Sequence, residues 1–134
     1  MNKNYFKSYF NYDRKDNKFA DTVYKQEDNY YITNKISIIK LFDPDNFNTI
    51  ENQDDGKILH NIFSNIDEEF EFLDNFNEED NRINEELCID LKELNKIKKL
   101  LKASTICIYN YKDRYMLRIY GKYGIGYLLP MRIY

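Results

Sequence analysis

The sequence predicts an α+β fold in which two helices pack on antiparallel sheets, and in which a helix followed by three strands occurs twice. Near the start, Tyr5, Phe6, Tyr9 and Phe10 recur at helical spacing, and runs rich in Val, Ile, Tyr and Thr follow them. Near the end, an amphipathic segment beginning at Leu91 is again followed by three strand-like runs. The repeat lies in the order of the elements, since no repeat of individual residues is visible.

Length and composition are those of one globular domain. The chain has 134 residues, of which 43% are hydrophobic, including 13 Tyr and 9 Phe. We therefore expect a single domain over residues 1–134. It would divide into a first half of about 1–74, an acidic loop of 75–84 and a second half of 85–134.

The first half should consist of the aromatic helix and a group of strands. We expect the helix to end within residues 11–13 and strands to form over 20–25, 29–33 and 36–42. Residues 43–46, Asp-Pro-Asp-Asn, are typical of a turn. The pattern beyond them is ambiguous. It allows a short strand near Thr49, a helix or a strand through 58–66, and a strand around 69–73.

The second half carries clearer signals. Asp90 is the expected N-cap of a helix, and Glu93 three residues later completes a pattern typical of a capping box. Strands are predicted over 105–111, 115–120 and 126–129. Pro130 cannot donate a ladder hydrogen bond, so it should end the last strand and leave the tail along a surface.

Charge is distributed unevenly along the chain, although the net charge is only −3. Between Asp43 and Glu86 there are 15 of the 23 acidic residues and only two basic ones, Lys57 and Arg82. The remaining segments hold 18 of the 20 basic residues. Such an asymmetry predicts two surfaces of different character.

Several segments carry a resemblance to one family. Residues 86–102, the strands at 105–109 and 115–119, and the closing Gly-Tyr-Leu-Leu-Pro-Met-Arg of 126–132 resemble the last domain of bacterial DNA sliding clamps, the DNA polymerase III beta subunits. Residues 23–39 are more loosely similar to the first half of such a domain. A clamp subunit carries three such domains, whereas this chain has one.

The resemblance implies a non-enzymatic protein of a phage or mobile element that acts in DNA replication. Clamp domains turn two helices towards double-stranded DNA, and lysines on them meet the phosphate backbone without reading bases. The alternative for these basic residues is a solvated lysine face. The DNA-facing residues would be Lys3, Lys7, Arg14, Lys15, Lys92, Lys96, Lys99 and Lys102.

The resemblance also implies a hydrophobic cleft that takes short peptides from replication proteins. Methionine suits such a surface because its thioether side chain adapts to different ligands. The alternative is a tail that packs only as an edge strand. The chain has Thr-Asn-Lys-Ile-Ser where the family has Gly-His-Arg on one side of the cleft. The cleft residues would be Thr33, Leu129, Pro130, Met131, Arg132 and Ile133.

A clamp-like domain of this size would work either as a self-assembling ring or as a partner of the clamp machinery. In a ring, copies would join by strand pairing, with an edge strand near the tail meeting one from the first half. The expected partners are therefore double-stranded DNA, replication proteins and further copies of the chain.

The acidic residues support a different function. Their carboxylates resemble a DNA backbone and could occupy the basic groove of a nuclease or host defence protein, as an anti-CRISPR-like, anti-defence inhibitor would. The residues of this alternative surface are Asp67, Glu68, Glu69, Glu71, Asp74, Glu78, Glu79 and Asp80.

No catalytic arrangement is visible, and we expect neither an enzyme nor a cofactor or metal. His60 is the only histidine, and the acidic spacings fit no EF-hand loop. Cys88 and Cys107 lie in apolar runs typical of reduced, buried thiols. No stretch is apolar enough for a membrane span, and we expect a cytoplasmic protein.

Overall fold

A computed structural model describes residues 3–10, 18–42 and 52–133, with the side chains of residues 3, 52 and 53 excepted. Within these ranges no helix is both long and apolar enough to span a membrane. The helices and strands, in chain order, are α1 (Lys3–Tyr9), β1 (Thr22–Gln26), β2 (Asn29–Thr33), β3 (Ser37–Leu41), β4 (Asn52–Asp55), α2 (Lys57–Glu69), β5 (Glu71–Asn75), β6 (Leu87–Cys88), α3 (Leu91–Leu101), β7 (Ala103–Tyr111), β8 (Arg114–Gly121), β9 (Gly124–Leu128) and β10 (Met131–Arg132).

The α+β class is confirmed, and a helix precedes three strands twice, as α1-β1-β2-β3 and α3-β7-β8-β9. Eight strands form one sheet in the order β4-β1-β2-β3-β9-β8-β7-β5. The antiparallel pair β3–β9 lies at its centre, with Ile39 opposite Gly126. From this pair the order reads β3, β2, β1 on one side and β9, β8, β7 on the other. The two units therefore meet along one central seam.

Helices α1 and α3 lie side by side on one face of this sheet. Their apolar stripes face inward, because both sequences repeat large side chains at helical spacing. Each such side chain stabilises the fold by about 1.5–3 kcal/mol when it is fully buried. The buried residues that the two helices contribute are Phe6, Tyr9, Leu94, Ile97, Leu100 and Leu101, and Phe10, directly after α1, is buried with them.

The expectation of two helices is wrong, because α2 forms a third. Leu59, Phe63 and Ile66 lie about one turn apart, and they pack with Tyr31 and Tyr127 on the face of the sheet opposite α1 and α3. The apolar residues of α2 thus have a core of their own. This contact decides between the helix and the strand that the sequence allowed for residues 58–66.

The expectation of purely antiparallel sheets is also wrong, because β4 runs parallel to β1 with Val23 opposite Gln53. The polar run Asn52–Asp55 shows no hydrophobic alternation, so the sequence did not indicate this strand. It lies at an end of the sheet, where it needs few apolar contacts.

The caps of α3 follow the sequence closely. Asp90 is the N-cap as predicted, and its Oδ1 accepts from the backbone N–H of Lys92 at 2.9 Å and of Glu93 at 3.4 Å. Lys102 ends the helix in the left-handed conformation, with φ of 50°. The Glu93 side chain does not complete a capping box, however, because it hydrogen-bonds Asn34 and Lys96 instead.

The tail turns away from the sheet at Pro130, since β9 ends at Leu128. Met131 and Arg132 are exposed, as expected, but they form β10 and pair with β6 rather than lying free. The backbone N–H of Ile133 continues this contact and donates to the Glu86 carbonyl at 2.8 Å. The tail is therefore hydrogen-bonded to the segment that leads into α3.

Three predictions of secondary structure lie outside the described residues. They are the end of the first helix at 11–13, the turn at 43–46 and the short strand near Thr49.

We expect Gly124→Ala to destabilise the protein more than Gly126→Ala. A Cβ at Gly124 would stand 2.3 Å from the Lys40 carbonyl oxygen, a backbone atom of the central seam. A Cβ at Gly126 would come nearest to the Ile39 side chain, at 3.2 Å, and would be 3.8 Å from the nearest backbone atom, the Ile38 carbonyl oxygen. Overpacking that moves backbone should cost about 2–3 kcal/mol at Gly124 and about 1 kcal/mol or less at Gly126. Urea unfolding measures both, and equal losses would contradict this account of the seam.

Candidate functional site

A groove of about 320 Å³ lies between the outer surfaces of α1 and α3. We call it the basic groove, and its walls consist of polar and charged side chains from both helices. It is lined by Tyr5, Ser8, Lys92, Asn95, Lys96 and Lys99. Three of the lysines predicted to face DNA therefore come together at one place.

These three lysines differ in their exposure to solvent and in whether a carboxylate pairs with them. Lys92 and Lys99 are exposed. Lys96 is half-buried, and its Nζ lies 2.8 Å from Glu93 Oε1 in a salt bridge. The charge that the groove offers to an anion comes chiefly from Lys92 and Lys99, seven residues apart on one face of α3.

The other predicted DNA-facing residues do not line this groove. Lys7 is exposed on α1. Lys102 is at the end of α3, with its Nζ 5.8 Å from the centre of the Tyr123 ring. The side chain of Lys3, and Arg14 and Lys15 altogether, lie outside the described parts of the chain.

A buried polar network lies beneath the basic groove. Asn34, which is 1% exposed, donates from Nδ2 to Glu93 Oε2 at 3.2 Å and to the Tyr9 carbonyl at 3.1 Å. Its Oδ1 accepts from the Ser37 N–H at 3.2 Å and the Ser37 hydroxyl at 2.8 Å. Asn34 thus joins α1, the β2–β3 connection and α3. We call Tyr9, Asn34, Ser37 and Glu93 the Asn34 network.

Tyr9 closes the Asn34 network. Its hydroxyl lies 2.7 Å from Ser37 Oγ. Burial strongly raises the pKa of Tyr9, outweighing the hydrogen bond with the Ser37 side chain, which acts to lower that pKa. The side chain therefore stays a neutral phenol at physiological pH, able both to donate and to accept.

A second groove, of about 200 Å³, lies between α2 and the opposite face of the sheet. We call it the apolar groove. Among the predicted cleft residues it contains only Thr33 and Leu129. The groove is lined by Thr33, Lys35, Ile36, Ser37, Ile38, Leu59, Ile62, Ile66, Met116, Tyr127 and Leu129.

The remaining cleft residues lie elsewhere. Pro130, Met131, Arg132 and Ile133 do not line the apolar groove, because the chain leaves the sheet after Leu129 to pair with β6. Helix α2 takes their place as the second wall, with Leu59, Ile62 and Ile66. The sequence could not indicate this, since it left the conformation of residues 58–66 open.

The Thr33 hydroxyl, one of the polar groups that line the apolar groove, already has a hydrogen-bond partner. Thr33 Oγ1 donates to the Ser37 carbonyl at 2.6 Å. Ile62 and Leu129 are 44% and 45% exposed. The groove thus offers exposed hydrocarbon to a ligand and suits apolar side chains.

The predicted acidic surface is partly neutralised. Asp67 forms a salt bridge with Arg118 and accepts from the Tyr127 hydroxyl at 3.1 Å. Glu78 pairs with Lys98, and Glu69 lies 4.0 Å from Arg114. The other predicted residues are exposed, and they are Glu68, Glu71, Asp74, Glu79 and Asp80.

Arg118 lies among three tyrosine rings, a cluster that the sequence did not indicate. Its guanidinium lies 5.0 to 5.6 Å from the ring centres of Tyr109, Tyr120 and Tyr127. Burial raises the pKa of Tyr127, and the nearby Arg118 cation only partly counters this. The cluster packs on the same face of the sheet as α2, where Arg118 and Tyr127 hold the Asp67 side chain of that helix in place.

Comparison of the chain with protein-family models, with curated proteins and with solved structures found no match. Among the described residues, no three His, Cys, Asp or Glu side chains converge as a metal site.

We expect Asn34→Ala and Glu93→Ala each to lower the free energy of unfolding by about 1–3 kcal/mol, because each leaves buried polar partners unsatisfied. The double variant should lose less unfolding free energy than the two single variants lose in sum, since the first change already breaks the Asn34–Glu93 hydrogen bond. Chemical unfolding of the four proteins gives this coupling. Glu79→Ala, at an exposed position, is the control. Additive losses at Asn34 and Glu93 would show that the two residues do not act together.

Proposed function

We propose that this protein is a non-enzymatic, sliding-clamp-like component of DNA replication in a phage or another mobile element. It contacts the backbone of double-stranded DNA through the basic groove. The observation that carries the proposal is the pairing of α1 and α3 on one face of a sheet built from two α-β-β-β units, with lysines on their outer surface.

The chemistry of the basic groove fits a phosphate backbone. Lys92 and Lys99 supply exposed positive charge, and Tyr5, Ser8 and Asn95 supply neutral hydrogen-bond donors. Such groups can bind phosphates, which are the same in every DNA sequence. A protein that must move along DNA requires this kind of contact.

The apolar groove supplies the second half of the proposal. It accepts an apolar peptide segment from a replication protein, with Leu59, Ile62 and Leu129 as the contact surface. The groove lies on the opposite face of the sheet from the basic groove. A bound client would therefore not compete with DNA.

Lys92→Glu combined with Lys99→Glu should weaken binding to a duplex of arbitrary sequence. Loss of two phosphate contacts should reduce the slope of log affinity against log salt by about 2. The matched control is Lys57→Glu with Lys112→Glu, which makes the same change in charge at exposed lysines outside the groove. Fluorescence anisotropy over a salt series measures all three proteins. Equal weakening by both pairs would mean that net charge, and not the groove, is responsible.

Ile62→Glu should reduce the affinity for a short fluorescent peptide rich in Leu and Phe by about tenfold or more, because the peptide would then desolvate a carboxylate. Ile58→Glu is the matched control. Ile58 lies one turn earlier in α2, is 74% exposed and does not line the apolar groove. If both variants bind the peptide as the unmodified protein does, the apolar groove is not the client site.

The exposed carboxylates favour a second candidate, an anti-defence inhibitor that covers the basic groove of a nuclease or another host defence protein. Its residues run from the end of α2 through β5 and on to Asp80, and they include Glu68, Glu71 and Asp74. Neutralising Glu68, Glu69, Glu71 and Asp74 separates the two candidates. An inhibitor with these changes would no longer bind its target protein, whereas a clamp-like protein would bind DNA as well as before or better.

A further inference from the structure

The eight-stranded sheet ends in two strands that each have only one neighbour among the described residues, β4 and β5. Strand β5 pairs with β7 on one side. All five of its residues are exposed, and Phe72 and Leu73 are 57% and 51% exposed. An edge strand that serves only to end a sheet does not need two large exposed apolar side chains.

The open side of β5 can accept another strand. In an antiparallel pair, alternate residues direct their backbone groups to the neighbour, and those between direct theirs the other way. The register shifts between Phe72 and Asp74, so the strand bulges at Leu73. Phe72 packs edge-on against Tyr109 with ring centres 6.0 Å apart, which gives an added strand an aromatic surface beside it.

Charge determines what kind of strand fits there. Glu71 and Asp74 lie on β5, and Glu68 and Glu69 come directly before it. The other edge strand, β4, carries Asp54 and Asp55, both exposed. A second copy of this chain, joined β5 to β5 or β5 to β4, would bring the carboxylates of the two strands close together, which is destabilising. A strand that carries lysine or arginine would meet opposite charges instead.

We propose that β5 is a docking strand for a basic, extended segment of a partner protein. The segment pairs with the free edge of β5, packs alternate side chains against Phe72, and places its basic residues against Glu71 and Asp74. This interaction does not depend on DNA contact at the basic groove, which lies on α1 and α3. It also means that the large sheet is completed by a different protein and not by ring closure between copies.

The test uses the full chain and a peptide of alternating lysine and valine. We expect the peptide to bind, and to slow amide hydrogen exchange within Glu71–Asn75. Glu71→Lys with Asp74→Lys should weaken binding by about tenfold, because two attractive charges become repulsive. The matched control, Glu79→Lys with Glu85→Lys, alters exposed acids outside β5 and should change the affinity by less than about twofold. Circular dichroism verifies that each variant is folded.

A second peptide tests strand pairing without altering the protein. Methylation of alternate backbone nitrogens keeps the charges of the peptide and removes the hydrogen bonds of a ladder. We expect this peptide to lose its binding. Three results would overturn the proposal: equal binding of both peptides, slowed exchange outside β5, or a dimer of the protein alone that protects β5.

Discussion

The position of the two helices that form the basic groove depends on the Asn34 network. Tyr9 belongs to α1, Asn34 to the β2–β3 connection and Glu93 to α3, and each is at most 2% exposed. A buried polar group without a partner costs about 1–3 kcal/mol, so these side chains tolerate one arrangement in which all are satisfied. Apolar packing also joins α1 and α3, and the directional hydrogen bonds of Asn34 add polar contacts that are satisfied at one relative position of the two helices.

The sheet separates three surfaces of different chemistry. The basic groove lies on the face covered by α1 and α3, the apolar groove lies on the face covered by α2, and β5 forms an acidic, partly apolar edge. The uneven distribution of charge along the chain leads to separate acidic and basic surfaces. The acidic segment forms α2 and β5, whereas the lysines of the basic groove lie on α3. The proposed sites for DNA, for a client peptide and for a basic strand therefore do not overlap.

Local patterns predicted much of this fold, and long-range contacts could not be predicted. The stripe of Phe6, Tyr9 and Phe10 and the cap at Asp90 are local, and both were confirmed. Lys92, Lys96 and Lys99 recur every three or four residues, and this local spacing likewise predicted that they share one side of α3. The hydrogen bond from Asn34 to Glu93 joins residues 59 positions apart, and no local signal marks it. For the same reason the sequence could not show that Glu93 holds Lys96, or that α2 would replace the tail as a wall of the apolar groove.

The most direct test of the central claim is the map of backbone amide shifts when a short DNA duplex is added to isotopically labelled protein. The groove between α1 and α3 should be the binding surface, so we expect the shifts to concentrate at Tyr5, Ser8, Lys92, Asn95 and Lys99, and to diminish as salt is raised. The amides of α2 and β5 should remain unchanged. A map without shifts on α1 and α3, or one centred on α2 and β5, would contradict the assignment of this groove to DNA.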